Sequence, residues 1–164
     1  MKKINKYLFV IAFTLVSIFN VNSQIIKAEI RATGLTCSMC SNAINKQLKS
    51  LSEVANVETD LNTNSFLVTL TENSNINPSD FKQSVEKAGF FIGSLVITSK
   101  TSMINKENYI VVGTNNIVSD EITFQVLDKG YVTDKEFKKI SKSLKKIESY
   151  LANNENDFHI KLIK

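Results

Sequence analysis

The segment Gly34–Cys40, with the sequence GLTCSMC, holds both cysteines of this 164-residue chain, three positions apart. Before it, apolar and charged residues alternate over residues 25–33, which predicts a β-strand. After it, apolar residues recur every three or four positions from 40 to 51, which predicts an amphipathic helix. The two thiols therefore lie where a strand gives way to a helix, and we interpret most of the remaining chain as scaffold for this junction.

The scaffold nearest the junction follows a regular order of elements. Two strands joined by a polar turn are predicted between residues 54 and 71. Asn77 and Pro78 are typical of a helix start, because asparagine caps the free N–H groups and proline has none to lose at the first position. An apolar strand is predicted over residues 90–98. Residues 24–99 therefore predict the order strand–helix–strand–strand–helix–strand, which is the ferredoxin-like pattern.

The C-terminal part predicts a second, smaller unit. Residues 100–107 are polar and predict a linker, and residues 108–164 predict the order strand–strand–helix–strand. The helix is expected to begin at a capping box formed by Thr133 and Glu136 and to run as one amphipathic helix to Leu151. The predicted fold class is α+β: a ferredoxin-like βαββαβ sandwich plus a small C-terminal ββαβ unit, to which the sequence assigns no role.

The first 23 residues have the layout of a secretory signal peptide. Lysines precede an apolar run over residues 7–19, and small polar residues follow before Gln24. The run is short for a membrane span, which needs about 20 apolar residues. We therefore expect residues 1–23 to be cleaved, with no stable membrane insertion afterwards, and the protein to be exported to a periplasm or secreted.

The basic charge of the chain belongs largely to this segment. The whole chain has 20 basic and 16 acidic residues and a net charge of +4, and three of the lysines lie within residues 1–23. The remainder is close to neutral, so the basic balance gives no reason to expect nucleic-acid binding.

The two cysteines are the candidate metal ligands. Thiolates bind soft ions, and the N-terminus of a helix favours the thiolate form. A structural zinc site normally has four ligands, whereas this loop supplies Cys37 and Cys40 only. Two-coordinate Cu(I) therefore ranks first, Hg(II) second, and Zn(II) or Cd(II) lower.

A competing hypothesis is a periplasmic thiol–disulfide oxidoreductase, since exported Cys-x-x-Cys pairs also perform thiol exchange. Against it, the chain has no tryptophan, and its single proline, Pro78, is explained as a helix start. With one histidine and no base near the thiols, the sequence favours a protein that is not an enzyme.

The GLTCSMC segment resembles the Gly-Met-Thr-Cys-x-x-Cys loop of heavy-metal-associated domains. These domains occur in copper chaperones, in copper-transporting P-type ATPases and in periplasmic mercury-binding proteins, and the resemblance extends over residues 25–98. It implies that Cys37 and Cys40 are the ligands. It also implies that the metal passes by ligand exchange to or from a partner protein such as a transporter. Leu35 replaces the usual methionine and is expected to pack inward, while Phe90 replaces a tyrosine or lysine and would shield the ion.

Four further predictions concern single residues or surfaces. Met39 is expected to be exposed or to face a partner, with a role as a third, thioether ligand as the alternative. Phe91 is expected to lie in the core, and His159 to be a solvated surface residue. Lysines cluster on the C-terminal helix, where a solvated face is the favoured interpretation and an acidic partner or anionic lipid the alternative. The clustered lysines are Lys138, Lys139, Lys142, Lys145 and Lys146.

Overall fold

The computed structural model describes most of the chain beyond residue 24. The described residues are 25–36, 38–72, 74–104, 108–113, 117, 119–152, 154 and 157–163. The predicted signal peptide over residues 1–23 and the candidate ligand Cys37 both lie outside this set.

The first six elements confirm the ferredoxin-like order. They are β1 (Ile25–Thr33), α1 (Ser38–Lys49), β2 (Val54–Asp60), β3 (Ser65–Leu70), α2 (Pro78–Lys87) and β4 (Phe91–Lys100). Their strands pair antiparallel in the order β2–β3–β1–β4.

The residues predicted to start the second helix, α2, cap it as expected. The Asn77 side chain accepts a hydrogen bond from the backbone N–H of Ser79 at 2.9 Å, and Asp80 accepts one from the backbone N–H of Asn77 at 2.8 Å. These bonds satisfy N–H groups that a helix start leaves unpaired. Gly89 follows the end of α2 with φ of 87°, a conformation that glycine adopts without strain.

The C-terminal strands extend the same sheet and do not form a sheet of their own. The remaining elements are β5 (Tyr109–Val111), β6 (Glu121–Val126), α3 (Asp134–Ser143), α4 (Glu148–Ala152) and β7 (Phe158–Ile163). Within the described residues, the seven strands follow the order β2–β3–β1–β4–β6–β7–β5, with β6 antiparallel to β4 and only β5 parallel to its neighbour β7. The physical reason is that β4 would otherwise be an edge strand with unpaired backbone N–H and C=O groups, which β6 satisfies.

The segment expected to be a linker is partly structured. β4 continues to Lys100, and a 3₁₀ turn over Thr101–Met103 follows, with Met103 buried. The backbone N–H of Thr101 donates to the carbonyl of Asp120 at 2.8 Å. These contacts attach the start of the predicted linker to the loop before β6, while residues 105–107 lie outside the described part of the chain.

One hydrophobic core runs through both halves. Ile97 of β4 lies opposite Phe124 of β6, and both side chains are fully buried. The Tyr109 ring contacts the Phe124 and Phe158 rings, with centroids 6.0 and 5.4 Å apart. The C-terminal unit therefore shares its apolar core with the first domain.

The prediction of a single C-terminal helix is wrong, because the described residues of this part form two helices, α3 and α4. Helix α3 ends at Ser143, and the next residue, Leu144, leaves helical geometry with ψ of 20° while its backbone N–H still donates to the carbonyl of Ile140. The Ser143 hydroxyl donates to the same carbonyl, a local side-chain bond that is tolerated at a helix end. After the turn, Tyr150 of α4 is buried, whereas Leu151, which the predicted apolar stripe would bury, is 57% exposed. No helix within the described residues is long and apolar enough to cross a membrane.

Candidate metal centre

The cysteine loop begins where β1 meets the start of β4. Gly34 follows the strand with φ of 85°, which reverses the chain toward α1. The Thr33 hydroxyl donates to the carbonyl of Phe91 at 3.3 Å, and a Cβ placed on Gly34 would lie 3.9 Å from the Phe90 ring. The base of the loop is therefore held against the turn between α2 and β4.

Cys40 lies in the first turn of α1 and is partly exposed. This turn contains no acidic residue. The partial positive charge of a helix N-terminus stabilises a thiolate, so the position favours the form of cysteine that binds metal. The structure thus places one of the two candidate ligands as predicted, and Cys37 lies outside the described residues.

The side chains around the loop divide into an inward and an outward set. Leu35 is half-buried and packs on the core, which confirms the predicted inward packing, and Phe90 packs there as well. Met39 is 78% exposed, as predicted. Phe91 is 68% exposed, so its predicted place in the core is wrong. The cause is a register shift between β1 and β4 beside Gly93, which turns Phe91 outward while Ile92 stays buried.

The described residues contain no group of three or more histidine, cysteine, aspartate or glutamate side chains able to hold a metal ion. A hard ion such as Mg²⁺ or Ca²⁺ needs several oxygen ligands, and a structural zinc site needs four nitrogen or sulfur ligands. The described part of the loop offers sulfur from Cys40, which suits a soft ion.

The part of the chain that contains the cysteine loop matches a known sequence family. The family model described as the heavy-metal-associated domain matches residues 29–91. This chain contains a heavy-metal-associated domain. Its family match spans the cysteine loop and reaches from β1 to the first residue of β4, whereas the C-terminal extension is not assigned to a family.

Several solved structures are similar to this domain. The yeast copper transporter domain Ccc2a, determined in apo and Cu(I)-loaded states, is 32% identical and covers 40% of this chain and 88% of its own, with a TM-score of 0.36. The N-terminal domain of a potential copper-translocating P-type ATPase from Bacillus subtilis, in its Cu(I)-loaded state, is 31% identical and covers 41% and 82%, with a TM-score of 0.37. No curated protein matches the chain at a significant level.

A cleft of about 750 Å³ opens beside the heavy-metal-associated domain, between α2 and the segment 128–134. Thr33 and Phe91 border it near the cysteine loop. Lys82 of α2 reaches over the Tyr131 ring, with Nζ 5.6 Å from the centroid, so the segment is attached to the helix. The lining carries both lysines and acids and therefore indicates no single class of ligand.

A buried polar cluster lies in the C-terminal extension of the heavy-metal-associated domain. We use the name Asp128 cluster for Asp128, Ser149, Tyr150 and His159. His159 Nδ1 is 2.7 Å from Asp128 Oδ1, the His159 backbone N–H donates to Asp128 Oδ2 at 2.6 Å, and Ser149 Oγ is 2.9 Å from His159 Nε2. Burial raises the pKa of Asp128, and the hydrogen bonds from His159 oppose that shift.

The prediction that His159 is a solvated surface residue is wrong, since only 1% of the side chain is exposed. His159 does face away from the apolar Phe158 and Ile160, as strand alternation predicts. However, α4 covers that side of the sheet, and the Tyr150 ring lies 5.0 Å from the imidazole, edge to face. No residue pattern near His159 predicts its burial, because its hydrogen-bond partner Asp128 is 31 residues away in the sequence.

The Asp128 cluster has the distances of a Ser-His-Asp relay, which the sequence did not suggest. Its geometry favours a structural role. Both oxygens of Asp128 bond His159, and neither Ser149 nor His159 is among the described residues that line the cleft. The Tyr150 hydroxyl donates to the carbonyl of Leu127 at 2.8 Å. The cluster therefore fastens α4 to the ends of β6 and β7.

Proposed function

We propose that this protein binds one soft metal ion, with Cu(I) the first candidate, through Cys37 and Cys40, and that it transfers or sequesters the ion. The observation that carries this proposal is the position of Cys40. It lies in the first turn of α1, partly exposed, inside a segment that matches the heavy-metal-associated domain. A thiolate held there is both stabilised and accessible.

The choice of Cu(I) follows from the donor set. Cu(I) and Hg(II) are satisfied by two sulfur ligands, whereas Zn(II) normally needs four ligands and Ca²⁺ or Mg²⁺ need oxygen. The described residues supply no cluster of further ligands around Cys40. Hg(II) therefore ranks second, and Zn(II) and Cd(II) lower.

The residues around the loop suit an ion that enters and leaves. Leu35 and Phe90 pack on the core and hold one side of the loop in place. Exposed Met39 lies on the other side, where an approaching protein would meet it. We infer that the partner is a metal-donating or metal-accepting protein such as a transporter, and that a partner ligand binds the ion as a cysteine of this chain releases it.

The layout of residues 1–23 supports export, with the metal handled in a periplasm or outside the cell. The near-neutral charge of the remaining chain gives no support to a nucleic-acid partner. In an oxidising compartment, bound metal would also protect the two thiols from forming a disulfide.

The test is an anaerobic titration of the reduced protein, without residues 1–23, with Cu(I) in competition with a chromogenic chelator. We expect one Cu(I) per chain, and a loss of more than about a hundredfold in affinity for Cys37→Ala or Cys40→Ala, because even an outer-shell partner is worth 10- to 100-fold. The matched control is Ser38→Ala in the same loop, which should bind as the wild type does.

Unchanged binding in both cysteine variants would rule out this function. The thiol–disulfide oxidoreductase hypothesis is checked on the same samples by the reduction potential and by turnover of insulin as the disulfide substrate. Turnover at rates typical of such catalysts, together with weak Cu(I) binding, would favour the oxidoreductase instead.

A further inference from the structure

Helix α3 carries a line of lysines along one side. They stand at positions i, i+3, i+4 and i+7 of the helix, and this spacing places side chains next to one another on one face. All four are exposed. We use the name lysine stripe for Lys135, Lys138, Lys139 and Lys142.

The lysine stripe differs from an ordinary solvated helix face. Such a face usually mixes lysine with glutamate, and like charges at these spacings destabilise a helix. In α3 the acids, Asp134 and Glu136, are confined to the first turn; they precede Lys138 and Lys139 at helical spacing but form no ion pair with them. The one ion pair among the described residues joins Asp128 and His159, so no stripe lysine is paired with a described acid. The positive charge is therefore concentrated and open to an external anion.

The lysine stripe begins near the base of the cysteine loop. A Cβ placed on Gly93 would lie 2.5 Å from the Thr33 methyl and 3.6 Å from the Thr133 methyl, so both threonines pack against this glycine. Thr33 ends β1 just before the loop, and Thr133 caps α3 two residues before the stripe starts. Since α3 is about 15 Å long at 1.5 Å per residue, a protein docked at the loop can reach the stripe.

We propose that the lysine stripe docks an acidic surface of the protein that exchanges metal with the cysteine loop. This inference rests on the proposed function. An acidic protein fits better than an anionic membrane, because membrane-bound helices present apolar residues beside their lysines. In α3 the apolar Phe137 and Ile140 are turned away from the stripe and are half-buried.

The experiment compares two variants with equal loss of charge. The stripe variant carries Lys135→Gln, Lys138→Gln, Lys139→Gln and Lys142→Gln. The control variant carries Lys27→Gln, Lys49→Gln, Lys100→Gln and Lys161→Gln, all exposed and outside α3. The acceptor probe is a heavy-metal-associated domain with a strongly acidic surface, and a second probe has those surface acids replaced by their amides.

Stopped-flow measurement of Cu(I) transfer to the acidic probe is expected to show the stripe variant about tenfold or more slower than the wild type at low salt, because electrostatic steering sets the association rate. The control variant should stay close to the wild type. The difference should vanish at high salt and with the amide probe. Equal rates for the stripe and control variants would overturn the proposal.

Two further measurements separate the sources of failure. Binding of the metal-free protein to the acidic probe at low salt does not depend on Cu(I). If Cu(I) binding fails, the proposed function fails, and loss of probe binding only in the stripe variant still supports the docking surface. Vesicles of phosphatidylcholine and phosphatidylglycerol test the membrane: adsorption that depends on the stripe, with probe binding unchanged in the stripe variant, would overturn the acidic-protein assignment.

Discussion

The cysteine loop and the Asp128 cluster make opposite use of reactive side chains. In the loop, Thr36 and Met39 are exposed, and Cys40 is partly open to solvent. In the Asp128 cluster, the imidazole of His159 is 1% exposed and bonded at both ring nitrogens. Within the described residues, no buried side-chain nitrogen or oxygen lacks a hydrogen-bond partner.

The difference shows why distances alone do not identify a functional site. A site that exchanges a ligand needs access and donor atoms that the fold leaves available. The distances between Ser149, His159 and Asp128 are those of a catalytic relay. However, their hydrogen bonds join α4 to the sheet. In the described part of the loop, the thiol of Cys40 lies in the first helical turn and is partly exposed. We therefore expect changes in the Asp128 cluster to alter stability and changes in the loop to alter metal binding.

The largest effect on stability is expected from Asp128→Ala. This change leaves the His159 ring and backbone N–H groups without acceptors in a buried place, which costs about 3 kcal/mol of unfolding free energy. Urea unfolding followed by circular dichroism measures the loss. Cu(I) affinity of the folded variant should equal that of the wild type.

The control for this prediction is Glu121→Ala, an exposed acid on β6, which should change the unfolding free energy by less than about 0.5 kcal/mol. A loss below about 1 kcal/mol for Asp128→Ala would contradict a structural role for the cluster. A fall in Cu(I) affinity without a fall in stability would show that the two regions are coupled.

A loss of Cu(I) affinity together with a smaller loss of stability is expected from Gly34→Ala in the loop. Among the described residues, a Cβ at this position meets only ordinary contact with Phe90, at 3.9 Å, so the cost comes from the positive φ of 85°. A side chain in that conformation costs about 1–2 kcal/mol, and relief of the strain would move the loop and weaken Cu(I) binding. Chelator competition and urea unfolding measure the two effects.

Gly113→Ala is the matched control, because Gly113 also has a positive φ, of 106°, and no atom of the described residues lies within 4 Å of the added Cβ. It should lose stability by a similar amount and keep its Cu(I) affinity. If both glycine variants bind Cu(I) as tightly as the wild type, the backbone at Gly34 does not set the geometry of the metal site.

The sequence predicted the parts of the fold that depend on local chemistry. Alternation placed Ala28 and Ile30 in the core, the Asn77-Pro78 pair placed the start of α2, and the apolar periodicity of residues 40–51 placed Cys40 at a helix start. Each of these depends on residues a few positions apart. The order of all six elements was predicted from such local patterns, and the family resemblance agreed with it.

The features that the sequence missed depend on distant parts of the chain. The pairing of β6 with β4 satisfies a free sheet edge, and no residue pattern says which edge a later strand will choose. Burial of His159 depends on α4 lying over the sheet, and the outward turn of Phe91 depends on a register shift at Gly93. Strand alternation predicts which face of the sheet a side chain lies on, but it does not predict whether another element covers that face.

The smallest expected effect concerns the proton of Tyr150. Burial and the nearby charge of Asp128 raise its pKa to about 12 from an ordinary value of 10.0. Between these pH values the folded protein keeps a proton that the unfolded chain loses. The stability that this proton contributes is therefore fully present below pH 10.0 and is lost as the pH rises toward 12.

The measurement is an alkaline titration followed by tyrosinate absorbance, with Tyr150→Phe as the reference. The difference between the absorbance titrations of the wild type and the variant should show one tyrosine that ionises near pH 12. The variant should also have an unfolding free energy lower by about 1 kcal/mol, since the Leu127 carbonyl loses its donor. Ionisation near the ordinary value would mean that water reaches this ring. The cluster would then be as open as the cysteine loop, and Ser149 and His159 would have to be reconsidered as groups available for chemistry.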